Sequence, residues 1–202
     1  MSNFEIPKSV DDAVLHGKTL RLEPLNETHF DGLAARVADA GELIFKNSPL
    51  GPSFEHYFAS AMAARAPNSH MPFVLINKSD NATIGMSRLF DIEPENASLE
   101  IGYTWYHPDY WGGVTNPDAK LTFMTHIFDE LGFNRVQLKT DERNAHSRAA
   151  MTKMGAQFEG VLREHKRLPD GRLRSSAFFS VLKAEWPKVK AGLEARMKKF
   201  KV

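Results

Sequence analysis

The chain has 202 residues, with 26 lysines and arginines against 25 acidic residues, no cysteine and 42% hydrophobic residues. That length suffices for one ordinary domain with a sizeable core, and a formal charge of +1 leaves no strong field to drive the molecule onto nucleic acid or an anionic membrane. The missing cysteine excludes disulfides, thiolate metal sites and any mechanism that places an acyl group on a cysteine nucleophile.

The segment from Met1 to Asp12 holds three acidic residues and no apolar run of signal-peptide length, and no later stretch approaches the roughly 18 apolar residues of a membrane span. A cytoplasmic protein with no membrane partner is expected. The closest of the eight histidines, His16 and His29, lie 13 positions apart, so no HExxH motif or helical pair exists for zinc and no metal is expected.

In chain order, Leu20, Leu22 and Leu25 predict a short strand over Thr19–Pro24. Thr28 is placed to cap a helix carrying Phe30, Leu33, Ala34 and Val37 at helical spacing. A proline and glycine loop over Asn47–Ser53 leads into a second helix, Phe54–Arg65. Strands are predicted at Phe73–Ile76, Ile84–Phe90 and Ser98–Tyr106, joined by polar turns as an antiparallel meander. Asn116, Pro117 and Asp118 supply a cap, a first-turn proline and a first-turn acid for a helix that Gly132 stops. Then come a strand at Arg135–Thr140, a helix at Asn144–Met154 closed by Gly155, and two strands, Gln157–Arg167 and Leu173–Leu182, around a Pro169-Asp170-Gly171 turn. A last helix spans about Pro187–Phe200, with Val189, Leu193, Met197 and Phe200 on one side. No repeat or break in composition divides the chain, so 1–202 reads as one α/β (α+β) domain: a core of about 18–183 and a basic C-terminal helix of about 186–200.

Two blocks carry chemistry. In the first, Glu100 to Lys120, a strand runs through Thr104, Trp105 and Tyr106 into an aromatic and glycine-rich loop, Trp111-Gly112-Gly113-Val114-Thr115-Asn116, and then a helix. Glycines let backbone approach a ligand closely, and the unpaired N–H groups of a helix N-terminus attract an anion such as a pyrophosphate; a plain structural turn explains the same residues about as well. The second block reads Leu131-Gly132-Phe133-Asn134-Arg135-Val136, then Asn144-x-x-Ser147-Arg148 at a helix start, then Met154-Gly155-Ala156-x-Phe158-Glu159-Gly160-Val161-Leu162-Arg163.

That ordered run strongly resembles the GNAT superfamily of acyl-CoA N-acyltransferases, and within it the RimJ/RimL-like branch, whose named members acetylate the N-termini of ribosomal proteins. The likeness covers about Leu20–Leu182. It implies a mixed, mostly antiparallel sheet of about seven strands flanked by helices, and transfer of acetyl from acetyl-CoA, as cosubstrate, to a primary amine. Having no cysteine, the chain suits direct attack in a ternary complex. Such a transfer needs a groove for the thioester, a donor for the carbonyl oxygen, a base for the ammonium and an acid for the thiolate.

The resemblance makes Glu100 the expected general base, directly or through water, against a solvated strand residue or a plain salt bridge. Strict alternation puts Glu100, Gly102, Thr104 and Tyr106 on one face and Leu99, Ile101, Tyr103 and Trp105 on the other, with Gly102 leaving room for substrate. Backbone at about Thr104, Trp105 and Tyr106 is expected to pair with pantetheine and donate to the thioester oxygen. The loop 111–116 departs from the family pattern, with Val114 and Asn116 at the usual glycine places and glycines at 112 and 113; Pro117 offers no N–H and Asp118 opposes a pyrophosphate. Lys120 reads as solvated. Asn144 is expected to cap its helix and hold pantetheine, and Ser147 to protonate the departing thiolate. Arg143 and Arg148 are candidates for CoA phosphates. Phe54, Phe58 and Met62 read as core first and acceptor-site wall second.

The acceptor stays open between a protein N-terminus, a lysine, a polyamine and an aminoglycoside. The alternative to an enzyme is a catalytically weakened CoA-binding or ribosome-associated module; nucleic acid is not otherwise expected as a partner, and monomer and homodimer are both allowed. The +1 charge hides an asymmetry, since residues 183–202 hold 7 basic and 2 acidic residues and the rest 19 and 23. A mildly acidic body would suit a cationic amine.

Overall fold

The computed structural model describes residues 5–41, 53–168 and 170–200. Its eight strands form one sheet: β1 (Leu15–His16), β2 (Leu20–Pro24), β3 (His70–Asn77), β4 (Thr83–Glu93), β5 (Ser98–Tyr106), β6 (Arg135–Asp141), β7 (Gln157–Arg167) and β8 (Leu173–Leu182). Their spatial order is β1-β2-β3-β4-β5-β6-β8-β7, antiparallel throughout except that β5 and β6 run parallel. The strand beyond the expected seven is β1, whose two residues pair Leu15 with Leu22 and His16 with Arg21. Two residues are too few to leave a period in the sequence.

Helices α1 (Phe30–Ala40) and α2 (Phe54–Ala64) cover one face of the sheet; α3 (Thr115–Thr125) and α5 (Trp186–Met197) cover the other, and α4 (Ala145–Met154) follows β6. Because both faces are covered, β3 reads as an unbroken apolar run: Met71, Phe73 and Leu75 join the α3/α5 core, while Val74 and Ile76 join Leu33, Phe54, Tyr57, Phe58 and Ala61 under α1 and α2. α3 continues as a π-helical stretch, His126–Leu131, which Gly132 ends.

Helix starts differ from expectation in two places. Asn26, and not Thr28, caps the entry to α1, accepting from Thr28 N through a short 3-10 turn. α3 begins at Thr115 with Val114 as its cap residue and no side-chain cap, so Asn116 is not the cap. Pro117 still falls within the first turn, where a missing N–H breaks no helical bond. The loop expected over Asn47–Ser53 lies, but for Ser53, outside the described residues, as does Pro169 of the β7–β8 turn.

The basic C-terminal helix is docked. Trp186 packs on Phe128 with ring centroids 5.4 Å apart and donates from Nε1 to Asp129 Oδ1 at 2.8 Å, while Lys190 pairs with Asp129 at 2.7 Å. Val189, Leu193 and Met197 are buried behind it.

Candidate active site

β5 and β6 pair only at their beginnings, Ser98 with Arg135, Leu99 with Val136 and Glu100 with Gln137. Beyond that point the two parallel strands share no ladder. Each leads from its carboxyl end to a helix, β5 to α3 and β6 to α4, so both helix N-termini follow the strand ends beside which ligands of parallel sheets commonly bind.

A bulge shapes the β5 side of this crevice. The β4–β5 register breaks between Met86 and Arg88, and Tyr103 takes a left-handed φ of 50°. One extra residue reverses the alternation downstream. Leu99 and Ile101 belong to the α3/α5 core, and after the bulge Thr104 and Tyr106 join that face, meeting Lys120 and Asn116 of α3. Tyr103 and Trp105 pack instead with α1 and α2. The expected grouping of Glu100 with Thr104 and Tyr106 is therefore corrected. Gly102 is also no opening: a Cβ there would lie 2.8 Å from Phe90 Cε1 and 3.3 Å from Glu100 Oε1, so those groups already fill the space.

Backbone direction follows from the ladder. His107 N donates to Ile84 O at 2.8 Å, and the Trp105 carbonyl oxygen lies against Gly85. Trp105 thus turns its backbone to β4, unlike its expected pantetheine role, and alternation leaves the backbone groups of Thr104 and Tyr106 facing the crevice. Trp111, half exposed, donates from Nε1 to Tyr106 O at 2.8 Å. A Cβ at Gly112 or Gly113 would meet nothing within 4 Å. Thr115 and Asn116 occupy the first helical turn, where N–H groups have no helical acceptor; the Asn116 side chain accepts from Tyr106 Oη at 3.1 Å.

Two charges of α3 sit where sequence reading did not put them. Asp118, 1% exposed, turns away from the helix end and accepts from Lys18 N (2.9 Å), Thr19 N (2.6 Å) and Thr19 Oγ1 (2.7 Å), which ties the β1–β2 turn to α3. It is a structural anchor rather than an opponent of bound phosphate. Lys120 is buried, not solvated; its Nζ reaches Thr104 Oγ1, and burial pulls its pKa down to about 8.

On the β6 side, Asn144 caps α4, its Oδ1 accepting from Ser147 N at 3.0 Å. Arg148 donates to Glu142 O at 3.1 Å and lies over the Phe158 ring, so it is already engaged. Glu100, 1% exposed, accepts through Oε2 from Lys139 Nζ at 2.6 Å and Gln137 Nε2 at 2.9 Å; burial pushes its pKa up, against the pull of Lys139. Sequence reading missed the partners that share its face, Tyr57, His70, Arg88 and Arg174. They come from four separated segments, which no local pattern connects.

A separate cavity of about 590 Å³ opens between β1, α3 and α5 and is lined by none of the expected site residues. Among the described residues no cluster of three His, Asp or Glu side chains is placed to hold a metal, and no helix is long and apolar enough to cross a membrane.

A sheet with one parted parallel pair, a bulged strand beside it and two helix N-termini at the opening defines an acyltransferase-type fold. Residues 19–157 match the acetyltransferase (GNAT) domain, and the chain belongs to that family. It is similar to a GCN5-related N-acetyltransferase from Brucella melitensis, with a TM-score of 0.88 at 30% identity over 96% of this chain and 90% of that one. A putative ribosomal N-acetyltransferase, YdaF of Bacillus subtilis (strain 168), is 31% identical over 107 residues. That match takes in 53% of this chain and 57% of the relative, so the chain spans little more than half the length of the curated protein it matches. Mycobacterium smegmatis RimJ, solved with CoA-disulfide, shares the fold at a TM-score of 0.74 and 21% identity, covering 94% of each chain.

Proposed function

We propose that the protein moves acetyl from acetyl-CoA to a primary amine by direct attack in a ternary complex, with a protein N-terminus as the acceptor and the cytoplasm as its place of action. One observation carries the reading: the unpaired backbone edge of Thr104 and the Tyr106 N–H beside the parted β5 and β6, strands that each lead on to a helix N-terminus. These groups fit the cosubstrate. The strand edge suits a pantetheine amide chain, and the open turn 111–116, with free N–H groups at Thr115 and Asn116, suits a pyrophosphate. The similarity to a putative ribosomal N-acetyltransferase favours a protein N-terminus over a polyamine or aminoglycoside.

Bound acetyl-CoA supplies an activated thioester carbonyl. The backbone N–H groups at Thr104 and Tyr106 orient it and donate to its oxygen as charge develops. Trp111, Gly112, Gly113, Val114, Thr115 and Asn116 form the phosphate turn, and Asn144 adds a polar contact to pantetheine. Glu100 shares the α1/α2 face, the side on which the family resemblance puts the acceptor. There its carboxylate takes the ammonium proton, directly or through one water, aided by a pKa raised toward the working pH. The amine nitrogen then bonds the carbonyl carbon and gives its second proton to water, the carbon–sulfur bond breaks, and Ser147 Oγ gives the departing sulfur a proton and takes one back from solvent.

The direct test mixes the protein with acetyl-CoA and a panel of N-terminal Ser, Thr and Ala peptides, polyamines and aminoglycosides, and follows thiol release. Turnover on peptides is expected. Micromolar CoA binding with no turnover on any amine would replace this reading with a CoA-binding, ribosome-associated module, which the Glu100–Lys139 ion pair would then explain.

A further inference from the structure

Two buried arginines on the α1/α2 face of the sheet form no ion pair among the described residues. Arg88, 3% exposed, is stacked between Tyr57 and Tyr103, its guanidinium carbon 4.4 and 4.3 Å from their ring centroids. Its Nη1 lies 3.4 Å from His70 Nε2, and its Nε is buried with no hydrogen-bond partner. His70 brings no charge to offset, since burial and Arg88 pull its pKa down to about 4. Arg174, 8% exposed, directs Nε and Nη2 to the single hydroxyl of Ser176 at 3.2 and 3.0 Å.

The sheet register puts these groups on one face, Arg88 on β4 and Arg174 on β8. Glu100 is opposite Gln137, which is opposite Ser180, and alternation then puts Lys139, Asp141, Phe178, Ser176 and Arg174 on the face of Glu100. Arg174 lies within electrostatic range of both Glu100 and Tyr103, the residue stacked on Arg88. The acids nearby are spent. Glu100 is held by Lys139 and Gln137; Asp141 by Arg172 at 2.7 Å and Arg143 N at 2.9 Å; exposed Asp91 lies 3.6 Å from Lys139. Two guanidinium charges on the face of the expected base are left without an acid.

We propose that the acceptor is an amine bearing a carboxylate, and that Arg174 binds that carboxylate while Glu100 receives the amine, with Arg88 adding positive charge to the same face. The proposal rests on the acetyltransferase reading of the same site. An unpaired buried charge is costly, and a carboxylate in the planar fork of an arginine relieves it with two parallel hydrogen bonds. The acidic body anticipated for a cationic amine is thus not what this face presents. Two sources share the ligand chemistry: an acidic side chain next to a protein N-terminus, and a free amino acid.

The test compares kcat/KM for serine-initiated peptides carrying Glu, Gln or Lys at the second and third positions, and for free glutamate, in the wild type, Arg88→Lys and Arg174→Gln, with thermal melting to confirm folding. A preference of at least tenfold for Glu over Gln and Lys is expected, collapsing toward unity in Arg174→Gln through KM. Preference for the peptide or for free glutamate assigns the source. Equal use of Glu and Lys peptides, or a loss in the variants that is the same for every acceptor, would overturn the proposal while leaving acetyl transfer intact. Calorimetric binding of an N-acetylated Glu peptide, which needs no turnover, keeps the two readings separate: binding to the wild type that Arg174→Gln abolishes supports the carboxylate subsite, and no binding overturns it.

Discussion

Lys120 Nζ lies 3.3 Å from Thr104 Oγ1, so an ammonium buried without an acidic partner sits against the bulged part of β5. Thr104 Oγ1 in turn lies 2.7 Å from Ser87 Oγ across the strand. The cation gains one hydroxyl and loses its water. In the folded protein its pKa falls from 10.5 to about 8, so between those values the unfolded chain binds more protons and stability rises with pH. Below about 8 the penalty is fully present. Lys120→Met is expected to raise stability at pH 7 by about 1–3 kcal/mol, with the gain fading by about pH 10, as urea unfolding at the two pH values would read.

Asp118 and Gly17 form a second structural pair. A Cβ at Gly17 would lie 2.7 Å from Asp118 Oδ1 and 2.6 Å from Thr122 Oγ1, so the turn approaches α3 as only glycine allows. Asp118→Ala should cost about 3 kcal/mol by orphaning two backbone donors, and Gly17→Ala should also destabilise. The double variant should lose less than the sum, because the first change removes the carboxylate part of what the second collides with, though Thr122 Oγ1 remains; chemical denaturation of the four proteins checks this.

Ser147→Ala separates chemistry from folding. The cap bond runs from Ser147 N to Asn144 Oδ1 and does not involve the hydroxyl, so melting temperature should stay near the wild-type value while kcat falls by about 10- to 100-fold. Unchanged turnover would remove Ser147 as the acid. Asn144→Ala, by contrast, should cost about 1 kcal/mol of stability through the lost cap and raise KM for acetyl-CoA.

Glu100→Gln should lower kcat by about 100-fold or more. The wild-type kcat/KM profile is expected to fall on the acid side above the ordinary carboxylate range, because burial raises this pKa, and the variant should lack that limb. A pH profile unaltered by the substitution would assign proton removal to another group.

His70 supplies a pH signature of the arginine face. Its pKa falls from 6.5 to about 4 on folding, so between these values only the unfolded chain takes up the proton, and stability declines as pH drops through that window. His70→Gln should flatten the decline, measured by thermal melting at pH 7 and pH 5.

Element types were legible because periodicity and turn chemistry are local. The apolar run of β3, the spacing of Val189, Leu193 and Met197, and the Asn144 cap each lie within one segment, and each appears in the fold as a strand, a docked helix and a cap. What failed were contacts between segments. Nothing near Lys120 announces burial against Thr104, and nothing near Asp118 announces a turn 99 residues upstream in sequence.

The amino-acid sequence by itself determined the family, through an ordered run of motifs, and the exclusion of an acyl-cysteine intermediate, through the absence of one residue type. Only the tertiary structure decided which side chains of β5 meet. A non-glycine residue, Tyr103, takes a left-handed backbone conformation that local preference disfavours, and the bulge it creates shifts every later side chain to the opposite face. That shift joins Thr104 to Lys120 on one face and leaves Glu100 on the other with Tyr103, Arg88 and Arg174.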